Sequence, residues 1–362
     1  MSFRRIALLA ATVAAAFGQP AAAAESDELA AAVEGAVTGM IQPAYREFAT
    51  AAAAAETAIG ALCTGPTPDR LQAARAAFAD EARAFAAVEP FRFGPARAEN
   101  RIDRLLFWPD RRARGFLQVA EILRTEEPSA ADAANLAAKS AAVQGLPALA
   151  HVLLGDGADG LGAPPFGFRC AYAQALATHI RRLADDLVAA WSGPAARSIR
   201  TPGPDNPEYR SDGEAVQALL RAAQEQAQIA ANLKIDRPAG ADGGPPAPGL
   251  APYPGAGLAI PTTAANIDAV RRLLAAMPLE RALPDDGKGI PGEADFYLGQ
   301  AAAAIATARL AGDDWPSVLA DPEAKSKILY AALSLRQASE VLRERLPAAL
   351  GLIAGFNSLD GD

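Results

Sequence analysis

Apolar side chains recur every three or four residues along most of the chain, and this spacing predicts amphipathic helices with one buried face. In the first of these, over residues 26–62, we expect Pro43 to kink the helix. The other predicted helices cover 69–88, 98–107, 113–124, 128–154, 168–191, 211–233, 263–277, 293–311 and 322–346. No run alternates apolar and polar residues for long enough to make a sheet. The pattern therefore predicts an all-α protein.

Two segments rich in proline and glycine divide this helical pattern. The segment 193–207 predicts a boundary between two helical-bundle domains packed side by side, one over 25–195 and the other over 196–362. A longer segment, 236–261, also carries apolar side chains. Two interpretations of it stay open, namely a disordered linker and a loop that lies across the surface.

The first 24 residues have the pattern of an export signal. Arg4 and Arg5 precede an apolar core over 6–17, and small residues at 21–24 suit cleavage. The apolar core is shorter than the roughly 20 residues of a membrane span, so an uncleaved anchor is the less favoured alternative. We therefore expect a periplasmic protein that is soluble after signal cleavage and has no transmembrane span.

Charge and cysteine content narrow the possible functions. The formal net charge of −8 becomes −10 without residues 1–24, which contain two arginines and no acid. An acidic chain is a poor ligand for nucleic acid, so no nucleic-acid partner is expected. Cys63 and Cys170 are the two cysteines. In an oxidising compartment they predict a disulfide, with two separately buried thiols as the alternative.

The helical pattern breaks between residues 88 and 110, where Pro90, Gly94 and Pro95 stop a helix. Aromatic residues and one early cation, Arg92, make this connection unusual. An arginine among aromatic rings needs a carboxylate, a carbonyl or a ligand as its partner. We therefore expect the segment to be tucked between helices.

Several motifs in this break and beyond it resemble the imelysin family of exported bacterial proteins. They are EPFRFGP at 89–95, FWPD at 107–110, VQGLPAL at 143–149, LPAALG at 346–351 and GFNSLDGD at 355–362. The resemblance implies two helical bundles with a functional site between them. It also implies a link to iron acquisition.

The motif best known in that family, Gly-x-His-x-x-Glu, is altered in this chain. The matching segment has Gly145, but Pro147 stands in the histidine position and Ala150 in the glutamate position. Neither side chain can bind a metal, and a zinc peptidase needs about three protein ligands and a general base. His151, one residue beyond, is interpreted as a packing residue and His179 as a surface residue.

Two groups of residues remain as candidate binding sites. Arg92 and Arg101, with Glu89 and Asp110, would form an anion or carboxylate site, because guanidinium groups bind such ligands with two hydrogen bonds. The structural alternative is that the arginine simply joins helix ends. The second group lies at the carboxyl end, where Asn357 and the metal-ligand candidates Asp360 and Asp362 offer oxygen atoms to a hard cation. The alternative there is a polar tail or a docked cap.

The sequence favours a periplasmic, non-catalytic accessory or ligand-binding protein associated with iron uptake. Its cofactor is unknown, with iron or another metal ion as the candidate, and its partner is either a small ligand or an envelope protein. Two alternatives stay open. One is a metallopeptidase of the imelysin type that uses His151, and the other is an interaction scaffold in the envelope.

Overall fold

A computed structural model describes residues 19–164, 167–352 and no others, with side chains described from residue 26 onward. The described chain is helical throughout and has no strand, which confirms the all-α class. In the first half the α-helices are α1 (Gln19–Ala36), α2 (Gln42–Thr64), α3 (Pro68–Val88), α4 (Arg101–Leu105), α5 (Arg114–Thr125), α6 (Ala133–Ala137), α7 (Leu146–Leu154), α8 (Phe168–Ser192) and α9 (Pro194–Arg200).

The second half contains the remaining seven described α-helices. They are α10 (Asp212–Ile229), α11 (Arg237–Ala239), α12 (Ala259–Ala276), α13 (Ile290–Ala308), α14 (Trp315–Ala320), α15 (Pro322–Glu340) and α16 (Leu346–Ala349). Short 3₁₀ turns lie at Gly94–Ala96, Ala98–Asn100, Pro128–Ala131, Ala141–Val143, Ala158–Gly162, Pro248–Leu250, Leu279–Arg281 and Arg309–Ala311. No helix in the described part of the chain is both long and apolar enough to cross a bilayer.

The helices pack as two neighbouring groups that share one continuous core. α2 packs on α3 and α8 in the first group, and α13 packs on α15 in the second. α3 and α12 join the groups, and α1 packs on α10. The bundle boundary between residues 195 and 196 stays a prediction, because the core runs across it.

Three π-helical segments, Val37–Ile41, Ala230–Asp236 and Val341–Arg345, interrupt the longer helices. Each ends two residues before a proline, namely Pro43, Pro238 and Pro347. Proline has no N–H, and its ring collides with the carbonyl one helical turn earlier. The wider π turn displaces that carbonyl, so the distortion expected at Pro43 takes this form.

The predicted disulfide is present. Cys63, at the end of α2, is bonded to Cys170, at the start of α8, with 5.7 Å between their Cα atoms. The bond closes a loop with a sequence separation of 107 residues. It holds together α2 and α8, two long helices of the first group.

The helix predicted over 128–154 is wrong, because this region breaks into short turns and two helices, α6 and α7. The decisive residue is Gly145, which has an extended backbone. A Cβ atom there would lie 2.4 Å from the carbonyl oxygens of Arg104 and Leu105. Three short helices, α9, α11 and α14, were also missed.

The segment 236–261 packs against the protein. Tyr253, Leu258 and Ile260 are 3%, 5% and 1% exposed. The interpretation as a packed loop is therefore confirmed, and the disordered linker is wrong.

Candidate functional site between the helical groups

Residues 89–110, called the elbow below, pack into the protein interior and are not a solvent-exposed loop. The Phe91 side chain is buried, and its ring centroid lies 6.3 Å from those of both Tyr45 and Phe93. Trp191 completes this aromatic cluster, with its ring 6.1 Å from Tyr45 and 5.9 Å from Phe93. Aromatic pairs at such distances favour tilted and edge-on packing, which fixes the start of the elbow against α2 and α8.

A buried ion pair ties the elbow to the second half of the chain. The Lys234 ammonium donates to Glu89 Oε2 at 2.6 Å and to Asn266 Oδ1 at 2.7 Å. Asn266 Nδ2 donates in turn to Glu89 Oε2 at 3.0 Å and to the Ala86 carbonyl at 2.7 Å. Lys234 Nζ also lies 5.5 Å from the centre of the Trp108 ring. An ammonium with two oxygen acceptors and an aromatic face is well compensated for the loss of water.

The pKa of Glu89 reflects these partners. Burial would raise it, but the charges of Lys234 and Arg92 and the hydrogen bonds from Lys234 and Asn266 lower it to about 2. Burial lowers the pKa of Lys234, while the adjacent Glu89 carboxylate opposes that change. With two acceptors in contact, we assign the lysine as an ammonium ion at neutral pH.

The sequence-predicted arginines have partners within the elbow. Arg92 Nη2 donates to Glu89 Oε1 at 2.7 Å, so these two residues meet as expected. Arg101 instead donates to Glu99 Oε1 at 2.6 Å. Asp110 lies apart from both, at the start of α5. The structure therefore does not assemble the four residues into one cluster, and an anion site at Arg92 stays a prediction.

The second sequence-predicted group falls outside the structural description. Asn357, Asp360 and Asp362 lie beyond the last described residue, Leu352. A cation site at the carboxyl end stays a prediction. Within the described residues, no three His, Cys, Asp or Glu side chains lie close enough together to hold a metal ion.

A cavity of about 420 Å³ lies between the two halves of the chain. The first half contributes α5, α7 and the aromatic end of the elbow, and the second half contributes the loop 249–256. The Trp108 indole N–H donates to the Leu250 carbonyl at 2.9 Å, which joins the two walls. Such a volume, with apolar walls and a few polar groups, is typical of a small-molecule site.

Asp110 lies at one end of this cavity and caps α5. Its Oδ1 accepts from the Arg114 backbone N–H and its Oδ2 from that of Gly115, both at 2.8 Å. A carboxylate has about four acceptor positions, so about two stay available for a ligand. Asp110 is therefore a sequence-predicted binding residue that lines a cavity.

The family model for imelysin matches residues 41–342 of this chain. The chain belongs to the imelysin family. No curated protein matches the sequence. Solved structures agree on the fold: an imelysin-like protein from Psychrobacter arcticum 273-4 superposes with a TM-score of 0.76 at 21% identity, covering 91% of this chain and 98% of its own. A proposed iron-regulated protein A precursor from Parabacteroides distasonis ATCC 8503 superposes with a TM-score of 0.65 at 17% identity. The match covers 88% of this chain and 94% of that protein.

The imelysin motif positions face the cavity. Pro147 and Ala150, which occupy the histidine and glutamate positions of Gly-x-His-x-x-Glu, both line it. Neither side chain has an atom that binds a metal, so the residues at this motif do not fit a metal centre. Gly145, at the motif's glycine position, packs directly on the elbow's backbone, which leaves no room there for a side chain.

His151 also lines the cavity, as a half-buried residue. Its ring stands edge-on to Phe116, with 4.4 Å between the ring centres. Burial and the nearby Arg169 lower the pKa of His151, although Asp156 opposes them. The imidazole is therefore neutral at neutral pH, in line with its interpretation as a packing residue.

The interpretation of His179 as a surface residue is wrong. Its side chain is 3% exposed, and its Nε2 lies 3.0 Å from Gln144 Oε1. The same oxygen accepts from Arg104 Nε at 2.9 Å. Burial, with the charges of Arg104 and Arg182, lowers the pKa of His179 to about 4. It is a neutral structural residue that connects α8 to the start of α7.

Sequence reasoning missed Lys234 and Asn266, the polar residues that join the elbow to the second half of the chain. Both stand where the helical period places apolar residues. Lys234 follows Ala230 by four positions and Ala231 by three, and both of these are buried. A single charged or amide residue on a buried stripe is the signal that would have found them.

Proposed function

We propose that this imelysin-family protein is exported and acts in iron uptake as a non-catalytic ligand-binding protein of the periplasm. The cavity between the two halves carries the proposal, because it has the size and lining of a ligand site. The name of the Parabacteroides relative, an iron-regulated protein, supports the link to iron.

The residues at the family motif favour binding over peptide hydrolysis. A zinc peptidase needs protein ligands and a general base at its reacting centre. Proline and alanine at the motif supply neither, and His151 lies one position away from the motif's face. The cavity walls are therefore suited to enclosing a molecule rather than to cleaving one.

The proposal can be tested on protein purified from its own periplasm after iron-poor growth. Native mass spectrometry should detect a bound small molecule, and adding that molecule back should raise the melting temperature in proportion to the logarithm of its concentration. The variant Ala256→Trp, which fills the cavity from the loop side, should lose the ligand. Ala54→Trp, on the exposed face of α2, is the matched control and should retain it.

Two results would contradict this function. Cleavage of casein that a chelator abolishes would support the metallopeptidase alternative. Ligand retention by Ala256→Trp at wild-type level would place binding outside the cavity.

A further inference from the structure

The charged groups in the cavity point to the kind of molecule it takes, provided that the proposed ligand-binding function holds. Among the described lining residues, the charged side chains are Asp110 and Asp156, and none is a lysine or an arginine. His151 adds no positive charge, because burial first and Arg169 second lower its pKa. The lining is therefore acidic.

The acidic end of the cavity also contains an aromatic ring and a carbonyl. A Cβ atom built on Gly115 would lie 3.3 Å from each of three atoms, the Asp110 Oδ2, the Ala142 carbonyl oxygen and the Phe107 Cδ1. Gly115, Asp110, Ala142 and Phe107 all line the cavity, so the carboxylate, the carbonyl and the ring edge lie next to one another in its wall. We call this group of residues the Asp110 corner.

Carboxylate, carbonyl and aromatic groups together suit one class of ligand. An ammonium or guanidinium group can donate to both oxygens and lie against the face of a ring, where the quadrupole attracts it. An anion would meet the Asp110 carboxylate with no lining cation to offset it. Trp108, Phe116 and Tyr253 add apolar surface along the rest of the cavity.

Positive charges outside the cavity would weaken the binding of a cation. Arg111, Arg112 and Arg114 follow Asp110 but are exposed, and they do not line the cavity. Arg169 donates to the Asp156 carbonyl at 2.6 Å, which offsets the charge at that rim. Water and salt screen exposed charges, so the half-buried Asp110 carboxylate inside the cavity should dominate.

We infer that the cavity prefers an organic cation, with its amine or guanidinium group in the Asp110 corner and its apolar body along Trp108, Phe116 and Tyr253. This assigns a positive charge to the ligand of the proposed binding function. It also predicts that carboxylate-rich molecules are poor ligands for this site.

Three probes of similar size and different charge test the inference. They are 2-phenylethylammonium, its neutral N-acetyl derivative and 3-phenylpropanoate, with binding measured by chemical-shift titration of the full mature protein. The cation should bind about tenfold more tightly than the neutral probe. The carboxylate should bind most weakly.

Variants separate the Asp110 corner from general surface charge. Asp110→Asn keeps one of the two acceptors that cap α5 and removes the charge, and it should reduce the preference for the cation to less than about threefold. Gly115→Ala should do the same by placing a methyl group against the Asp110 carboxylate and the Ala142 carbonyl oxygen. Asp159→Asn is the matched control, since Asp159 is exposed, pairs with Arg75 and does not line the cavity. It should keep the full preference.

The outcomes distinguish this inference from the proposed function. Equal or tighter binding of the carboxylate probe would overturn the inference, and so would an unchanged preference in both corner variants. If no probe binds but the periplasmic protein carries a ligand that Ala256→Trp loses, the binding function stands and the cation preference falls. If the protein carries no ligand and no probe binds, both fall.

Discussion

Glu81 and Glu89 lie eight positions apart, on α3 and at its end, and both side chains are buried, at 0% and 1% exposed. Glu89 has Lys234, Arg92 and Asn266 as partners. Among the described residues Glu81 has no such partner, and both of its carboxyl oxygens are buried without a hydrogen bond there. Burial and the nearby Glu56 raise the pKa of Glu81 well above its usual value, whereas the pKa of Glu89 falls to about 2.

The comparison shows that partners, rather than burial, decide the state of an interior carboxyl group. Glu89 is a carboxylate that joins the elbow to the second half of the chain. Glu81 lies beside Phe78, whose ring is edge-on to Tyr253 at 6.4 Å, and the cost of ionising there keeps it protonated. Glu89 links two parts of the protein, whereas Glu81 destabilises the fold locally.

Removing Lys234, the buried partner of Glu89, should give the largest change in the free energy of unfolding. Lys234→Met leaves a buried carboxylate with Arg92 as its remaining charge partner, and loss of one member of a buried pair costs about 3–5 kcal/mol of the free energy of unfolding. Urea denaturation of the mature protein measures it. Lys288→Met is the control, because Lys288 is exposed and pairs with the exposed Asp285. It should leave the urea midpoint unchanged. A Lys234→Met midpoint equal to wild type would show that the ion pair contributes nothing.

Removing the carboxyl group of Glu81 should have the opposite effect and stabilise the protein. Glu81→Met replaces it with an apolar side chain of similar length, so the free energy of unfolding should rise by about 1–3 kcal/mol, the usual cost of an unsatisfied buried polar group. The same substitution at Glu89 should destabilise the protein. Thermal and urea unfolding of the two variants side by side measure both signs. A less stable Glu81→Met protein would mean that the carboxyl group has a partner after all.

The two residues should also make stability depend on pH in opposite directions. The folded pKa of Glu81 is raised, so its folded state holds the proton more tightly, and stability falls as pH rises above about 4.5, the usual value for the unfolded chain. The gain from Glu81→Met should therefore be largest near neutral pH and shrink toward pH 4.

Glu89 behaves in the reverse way. Its folded pKa is about 2, against a usual value of 4.5, so its contribution is present above the usual value and is lost as pH falls toward 2. The difference in unfolding free energy between wild type and Glu89→Gln should shrink over that interval. Urea unfolding at a series of pH values measures both trends. Parallel curves for the wild type and either variant would contradict the assignment of that residue.

The helical class and the packed elbow were predictable, because helical period and proline positions are local signals. The partners of the elbow were not, since Lys234 and Asn266 are distant in sequence and a lysine is usually exposed. The loop wall of the cavity was missed for a related reason, because the position of Tyr253 depends on long-range packing. Asp110 was identified through its neighbouring aromatics, although its role as the α5 cap needed the structure.

The smallest expected effect tests how far the Glu89 network extends. Trp108→Phe removes the hydrogen bond to the Leu250 carbonyl and weakens the aromatic contact with Lys234, so it should cost about 1 kcal/mol more than the loss of ring volume alone. Trp315→Phe supplies that baseline, because the Trp315 indole N–H is buried and has no hydrogen-bond partner in the described part of the chain. Urea unfolding of the two variants gives the difference. If Trp108→Phe costs no more than Trp315→Phe, the ion pair holds the elbow without help from the loop. If it costs more, and the excess disappears in a Lys234→Met background, the cavity wall and the ion pair act as one unit.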